Sequence, residues 1–410
     1  MLPLRHLLTP VARGVTAAAF LLAIVGCAVA QNEESPLSND GGGATAVALF
    51  SNLNAPALPG KRGVANPRAR LGTGPAVWET LKNSTEIFRV GGAPPCPWET
   101  ICEIPDGTTP LDTKELRARF GPTNSTWLHY LSGNRMIDGQ QVVDAHAVPI
   151  RYDVRCNREF YDYIAANPSK HPLYNIEGQE AARSDPKFQF EFPRNATEVK
   201  AAWKLLKKGE DDSRFWTAYG AYYDDDGKLQ YSKIALTAFH IIRRDQFGWI
   251  FTTFEQIDNP KATYTYFLQE KQEAVGVNST LNPEAAKYNA LIEKRFQGTK
   301  WQHYRVMGWQ TEETDADGRP VLLANTNIET YFPKTSSCKS CHAMANIGPN
   351  SNRRLNMWDM SKGIEGRVGN VDFQKIAKEL APGELFKQTD YAWVLREAQS
   401  VHATGQNKAK

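Results

Sequence analysis

The pentapeptide Cys338-Lys339-Ser340-Cys341-His342 constrains this chain more than any other feature of its sequence. Cysteines three apart share one face of a helical turn. Two thiols so placed can each add to one vinyl group of a single porphyrin, and the next residue can set an imidazole under the iron. C-x-x-C-H is therefore the attachment pattern of a c-type haem. Other uses of a C-x-x-C pair ask for more. A zinc site needs two further ligands at comparable spacing, and the other cysteines, Cys27, Cys96, Cys102 and Cys156, supply no second such pair. A redox dithiol belongs after a strand in a βαβ unit, and no such alternation precedes Cys338. The motif implies one covalent haem c, with Cys338 and Cys341 as the thioether sulfurs and His342 as the proximal iron ligand.

The N-terminus agrees with that chemistry, because haem c is matured outside the cytoplasm. Arg5, His6 and Arg13 precede a short apolar run from Gly14 to Val25, and Ala28-Val29-Ala30 offers the small residues of a signal-peptidase site. Ile24-Val25-Gly26-Cys27 also fits a lipobox, in which Cys27 would carry a lipid anchor. Both cleavages lead to a periplasmic, secreted or membrane-anchored lipoprotein location. Export places the cysteines where disulfides persist. Cys96 and Cys102, close together in PPCPWETICEIPDG, form the favoured pair, and Cys156 is left as an inward-pointing thiol on a strand.

The charge balance excludes other classes. There are 48 basic and 45 acidic residues, and loss of Arg5 and Arg13 with residues 1–30 leaves 46 basic. So even a balance gives no general attraction to nucleic acid or an anionic membrane. No internal apolar run reaches the roughly 18 residues of a transmembrane span. The implied partner is a redox protein, whose identity the sequence does not reveal.

Periodicity predicts an α+β fold: an antiparallel, sheet-rich core with flanking helices and the haem c site near the C-terminus. After the signal, residues 31–75 are rich in Gly, Pro, Asn and Ala and read as a flexible leader. Residues 76–210 read as an N-terminal α+β region, 211–350 as a strand-rich haem-binding region and 351–410 as a helical C-terminal segment. Within them, 76–92 reads as a helix ending at Gly91-Gly92. Val148 to Cys156 alternates as a half-buried strand, and so does Phe188 to Phe192. Asn195 to Gly209 reads as a helix, with a capping-box start and a glycine stop. Residues 214–258 read as successive antiparallel strands, and 282–295 as a helix. HYRVMGWQ and VLLANT read as a hairpin across Asp315 to Gly318, and 372–380 and 389–400 as helices.

The sixth position of the iron stays open between several readings. Downstream of His342 stand Met344, Met357 and Met360. Met344 is too close in sequence to cross to the other face of a haem, whereas Met357 or Met360 could do so after a sharp return of the chain. His240, on a strand between Phe239 and Ile241, is a candidate distal ligand or proton donor, or else a structural histidine. An open or water-bound face, or some other ligand, completes the readings. Glu255 reads as a solvent-facing strand residue or a distal acid, and Trp249 and Phe254 as core or haem wall.

The stretch IALTAFHIIRRDQFGWIFTTFEQIDNP (Ile234 to Pro260), followed by Asn325-Thr326-Asn327-Ile328-Glu329-Thr330-Tyr331 and the Cys338 motif, resembles a group of large secreted bacterial monohaem proteins of the cytochrome c family. The likeness extends over most of residues 140–345. The order of strands first and C-x-x-C-H late is similar to that of the lysine-cross-linked cytochromes of ammonia oxidisers and their cytochrome c-prime-beta relatives. That second resemblance implies a five-coordinate iron with an open distal pocket. Their cross-linking lysine has no matched position here. Two functions follow as expectations. The first is an exported monohaem electron-transfer cytochrome. The second is a haem enzyme or small-gas binder acting on small nitrogen compounds or peroxide, in which the extra chain mass shapes a dry pocket. A haem serving only as a structural staple is a third reading.

Overall fold

The computed structural model describes residues 42–102, 109–132, 149–165, 171–259, 284–325, 327–329, 336–349, 355 and 369–402, with short paired strands at 136–137, 140–141, 263–265 and 274–276. Eight strands form one mixed sheet: β1 Lys82–Asn83, β2 Leu128–Tyr130, β3 Ile150–Cys156, β4 Thr197–Leu205, β5 Thr217–Tyr223, β6 Leu229–Arg244, β7 Trp249–Gln256 and β8 Tyr304–Gln310. The long strand β6 organises it. One edge of β6 pairs with β4 over Ile234 to Arg243. The other edge pairs first with β5, over Leu229 to Ala235, and then with β7, over Ala238 to Arg244. Sixteen residues let one strand serve two neighbours in succession, which curls the sheet. Every pairing is antiparallel except that of β2 with β5.

Both faces of this sheet are covered. Across one face Phe239 stacks on Phe254 with ring centroids 5.0 Å apart, and on Trp78 at 6.2 Å. Helix α1, Gly43–Leu53, lays Ala46, Leu49 and Phe50 onto those rings, and Phe50 meets Phe254 at 4.9 Å. Helix α2, Ala285–Arg295, packs beside it. Gly43 is required at their approach, since a Cβ there would lie 2.3 Å from the Tyr288 ring. The opposite face carries Tyr152, Ala202, Ala238 and Ile328 in a small cluster, and next to it the C-terminal part of the chain.

Several expectations are corrected by this arrangement. The supposed leader contributes α1 to the core. In the described part, 42–75, its Gly and Pro residues stand in turns held by the bridges Pro56 to Ala76 and Ala57 to Ala65. The region boundaries at 210 and 350 are not domain boundaries, because the described residues belong to one compact unit and the sheet takes strands from both sides of 210. Residues 197–205 form a strand, not a helix. With both faces buried, Val199, Ala201 and Trp203 face one side while Ala202 faces the other, and the resulting apolar spacing mimics a helical stripe. Asn195, with φ of 68°, turns the chain into that strand.

Residues 188–192 form no strand, because their amides bond to side chains. Phe192 donates to Asp390 at 2.7 Å, and Glu191 to the Tyr163 hydroxyl at 2.9 Å. The predicted helix over 76–92 divides into a 3-10 turn at Val77–Thr80, β1, one helical turn at Ser84–Ile87 and a further turn at Val90–Gly92. VLLANT runs without a ladder, although the turn at Asp315 to Gly318 is present. Helices at Ala285–Arg295 and Phe373–Leu380, strand β3, and the run β5 to β7 match the sequence reading. Among the described residues no helix is long and apolar enough to cross a membrane.

Candidate functional site

The motif opens a short helix, α3 Cys338–Ala343. Ser337 caps it, accepting from the Ser340 amide. Gln310, the last residue of β8, fixes that first turn to the sheet: its side-chain amide donates to Ser337 Oγ at 2.9 Å, and its carbonyl oxygen accepts from the Lys339 amide at 3.0 Å. The turn therefore places Cys338 and Cys341 on one helix face. The two are not joined to each other. Cys338 is buried against the Leu323 carbonyl, and Cys341 is half-buried against a satellite cluster of Met344, Leu355, Phe373, Ala377, Ala381 and Phe386. Burial pushes the Cys341 thiol up to about 12 and raises the Cys338 thiol well above its ordinary value. That is the opposite of what a redox-active C-x-x-C pair needs, since its chemistry runs through a stabilised thiolate.

His342 follows on the same turn. Its Nδ1 donates to the backbone carbonyl of Tyr391 at 2.7 Å, which leaves the ring's lone pair on Nε2. Burial, partly offset by that hydrogen bond, lowers the imidazole to about 4, so it is neutral as a metal ligand must be. The carbonyl is presented by an unusual backbone: Asp390 and Tyr391 have φ of 46° and 65°. These values explain why 389–400 is not the predicted helix and holds only a 3-10 turn at Trp393–Glu397. Asp390 anchors the kink, accepting from Trp249 Nε1 at 2.9 Å as well as from Phe192. Trp393 Nε1 donates to the Cys341 carbonyl at 2.9 Å.

The His342 ring rests on Phe251 of β7, with centroids 5.0 Å apart. Phe251 and Thr253 share a sheet face, and Thr253 is the cross-strand partner of His240, itself the partner of Lys200 on β4. His342 and His240 thus stand over one face, close enough that the charges of His240 and Lys200 act on His342. Glu329 reaches this row from the segment after β8. Its Oε2 lies 3.5 Å from His240 Nε2, an ion-pair distance beyond normal hydrogen bonding. Burial opposes ionisation of Glu329, but His240 and Lys200 outweigh it and lower its pKa. Asn325 holds the segment down, donating to Thr253 Oγ1 at 2.8 Å and to the Phe254 carbonyl at 3.1 Å.

The residues present fit the group that the motif implies: two thiols on one turn, a neutral imidazole with Nε2 free for a metal, and a nearby, partly buried polar row. Among the described residues no group of three or more His, Cys, Asp and Glu is arranged to hold a bare metal ion. Of the distal candidates, the structure brings His240 to the site. Met357 and Met360 lie outside the described residues, and Met344 is packed into the satellite cluster. Glu255 is buried, not solvent-facing, and as the cross-strand partner of Ala238 it stands on the same sheet face as Thr253 and His240. Phe254 lies in the core on the other face, and Trp249 binds Asp390. Comparison with protein-family models, curated proteins and solved structures finds no match.

Sequence reading missed Lys200, the Tyr391 carbonyl and Asp390. The helical reading of β4 hides Lys200, and its place beside His240 follows only from the register of β4 with β6. Nothing in the sequence marks a backbone carbonyl.

Proposed function

We propose that the chain is an exported monohaem c-type cytochrome, a redox protein in which Cys338 and Cys341 carry one covalent haem and His342 bonds its iron. The observation that carries this reading is the hydrogen bond from His342 Nδ1 to the Tyr391 carbonyl. It fixes the tautomer and orientation of an imidazole that directly follows two unpaired thiols on one turn. A haem held there supplies a one-electron couple tuned by axial ligand, hydrogen bonding and burial. The chain's part is to hold the imidazole neutral, to exclude water with Phe251 and the satellite cluster, and to keep the thiols on one helix face. The Cys96–Cys102 disulfide supports location in an oxidising compartment, periplasmic or secreted, with Cys27 as an alternative lipid anchor. The electron partner is a protein still to be identified.

A second reading, a haem enzyme or small-gas binder, is favoured by one observation. An electron carrier needs no partly buried His–Glu–Lys row beside its haem, yet His240, Glu329 and Lys200 form one here.

The test is production of the full chain with a working haem c maturation system. The expected product is coloured, keeps its haem through acid–acetone extraction and holds one haem per chain. The double variant C338S/C341S should release or never acquire it. A colourless wild-type protein from a system that matures a control cytochrome refutes the proposal.

A further inference from the structure

His240 is 9% exposed, and its Nε2 has no hydrogen-bond partner among the described residues. Burying such a group without a partner costs free energy, so the site is built for something that completes it. Glu329 stands 3.5 Å from that same Nε2. It is not loosely placed, since its carboxylate also accepts from the Asn325 amide at 2.8 Å, and Asn325 is bonded to β7. A carboxylate 3.5 Å from Nε2 would stabilise a proton gained there, so the pair suits proton transfer. Lys200 adds a positive charge in the same row, with Nζ 4.7 Å from the Tyr152 ring centroid.

We propose that His240 is the proton acceptor for a small weak acid taken up at the haem site, and that Glu329 positions it. This rests on the reading of Cys338, Cys341 and His342 as a haem c site. The ligand class is a compact acid HX that binds as X⁻, as hydrogen peroxide, hydrogen sulfide and hydrogen cyanide do. The H–X bond breaks heterolytically. The electron pair would stay on X, which a bound haem iron would accept, and the proton would pass to His240 Nε2 and return when the ligand leaves. Lys200 favours the anion so formed. Glu329 acts through His240 and touches no ligand.

Cyanide and carbon monoxide separate this role from a merely structural one, because hydrogen cyanide must lose a proton on binding and carbon monoxide has none to lose. In the haem-loaded full chain, H240L should slow cyanide association by about 100-fold, the usual worth of a placed proton acceptor, with carbon monoxide association unchanged. E329Q should slow cyanide less. The double variant H240L/E329Q should be no slower than H240L, since a residue acting only through His240 adds nothing once His240 is gone. The carbon monoxide rate and the absorption spectrum report an intact fold in each variant. Unchanged cyanide kinetics in H240L overturns the inference. So does a low-spin wild-type iron that becomes high-spin in H240L, which would make His240 an axial ligand, and so does an iron that binds neither probe. Multiplicative losses in the double variant overturn the role given to Glu329. All of these are read on a coloured protein; a colourless one defeats the haem reading itself.

Discussion

His342 Nδ1 donates to the carbonyl of Tyr391, 49 positions further along the chain. The carbonyl points there because residue 391 has φ of 65°, a conformation closed to proline. Y391P should therefore withdraw the acceptor. With a haem bound as proposed, the bond would give the imidazole anionic character and favour the oxidised iron, so its loss should raise the reduction potential. A hydrogen bond worth about 1 kcal/mol, at 59 mV per tenfold for one electron, sets the rise at roughly 20–60 mV. Redox titration of haem-loaded Y391P and Y391F measures it, and Y391F, which keeps the backbone, should not move.

How much of this was legible in the sequence depended on whether a signal was local. The Cys338 motif, the capped helix at Phe373–Leu380 and the alternating strand at Ile150–Cys156 are written in neighbouring residues. The row Lys200–His240–Thr253 is not, because it exists only once three strands are in register. The strand Thr197–Leu205 was misread for a related reason. A strand buried on both faces loses its period of two, and Asn195 and Glu198 then supplied a plausible but false helix start. The positive φ values at Asp390 and Tyr391 carry no glycine to announce them.

Phe50 tests whether residues 43–75 belong to the fold. Its ring lies 4.9 Å from Phe254, 5.2 Å from Phe296 and 5.8 Å from Phe239. Removing it leaves a cavity between α1 and the sheet, so F50A should cost about 3–5 kcal/mol. A shift of the urea midpoint with an unchanged slope would show that loss. A flexible leader would show no change.

The buried core also holds an ionisable cluster. His129 lies between Asp153, 2.5 Å from its Nδ1, and Glu79, 3.0 Å from its Nε2, with Arg155 Nε 2.8 Å from Asp153. Burial opposes ionisation of Asp153, but Arg155 and His129 outweigh it and hold the carboxyl below its usual 3.8. A depressed acid binds fewer protons folded than unfolded. Its stabilisation is therefore present above the unfolded value and is lost as pH falls through about 4 toward the folded one. D153N should cost about 3–5 kcal/mol at neutral pH by stranding Arg155 and should flatten the acid limb of the stability profile. Urea unfolding at pH 7 and pH 3.5 measures both.

The Cys96–Cys102 bridge closes a short loop in which the Tyr161 hydroxyl bonds the Cys96 carbonyl at 2.7 Å. Loop-closure entropy for so few residues amounts to about 2 kcal/mol. C96S/C102S should lose that much, and wild type under reducing conditions should lose the same, with no further effect of reductant on the variant.

Asp390 links the C-terminal kink to the sheet, and its replacement should be felt at His342. In D390A the Phe192 amide and Trp249 Nε1 lose their acceptor together. Each stranded buried donor costs about 1–3 kcal/mol, so the thermal midpoint should fall. Asp390 also holds the turn that aims the Tyr391 carbonyl, so the potential should rise in the same direction as in Y391P. A stability loss with no change in potential would mean that Tyr391 keeps its aim without Asp390, and that α3 alone sets the position of His342.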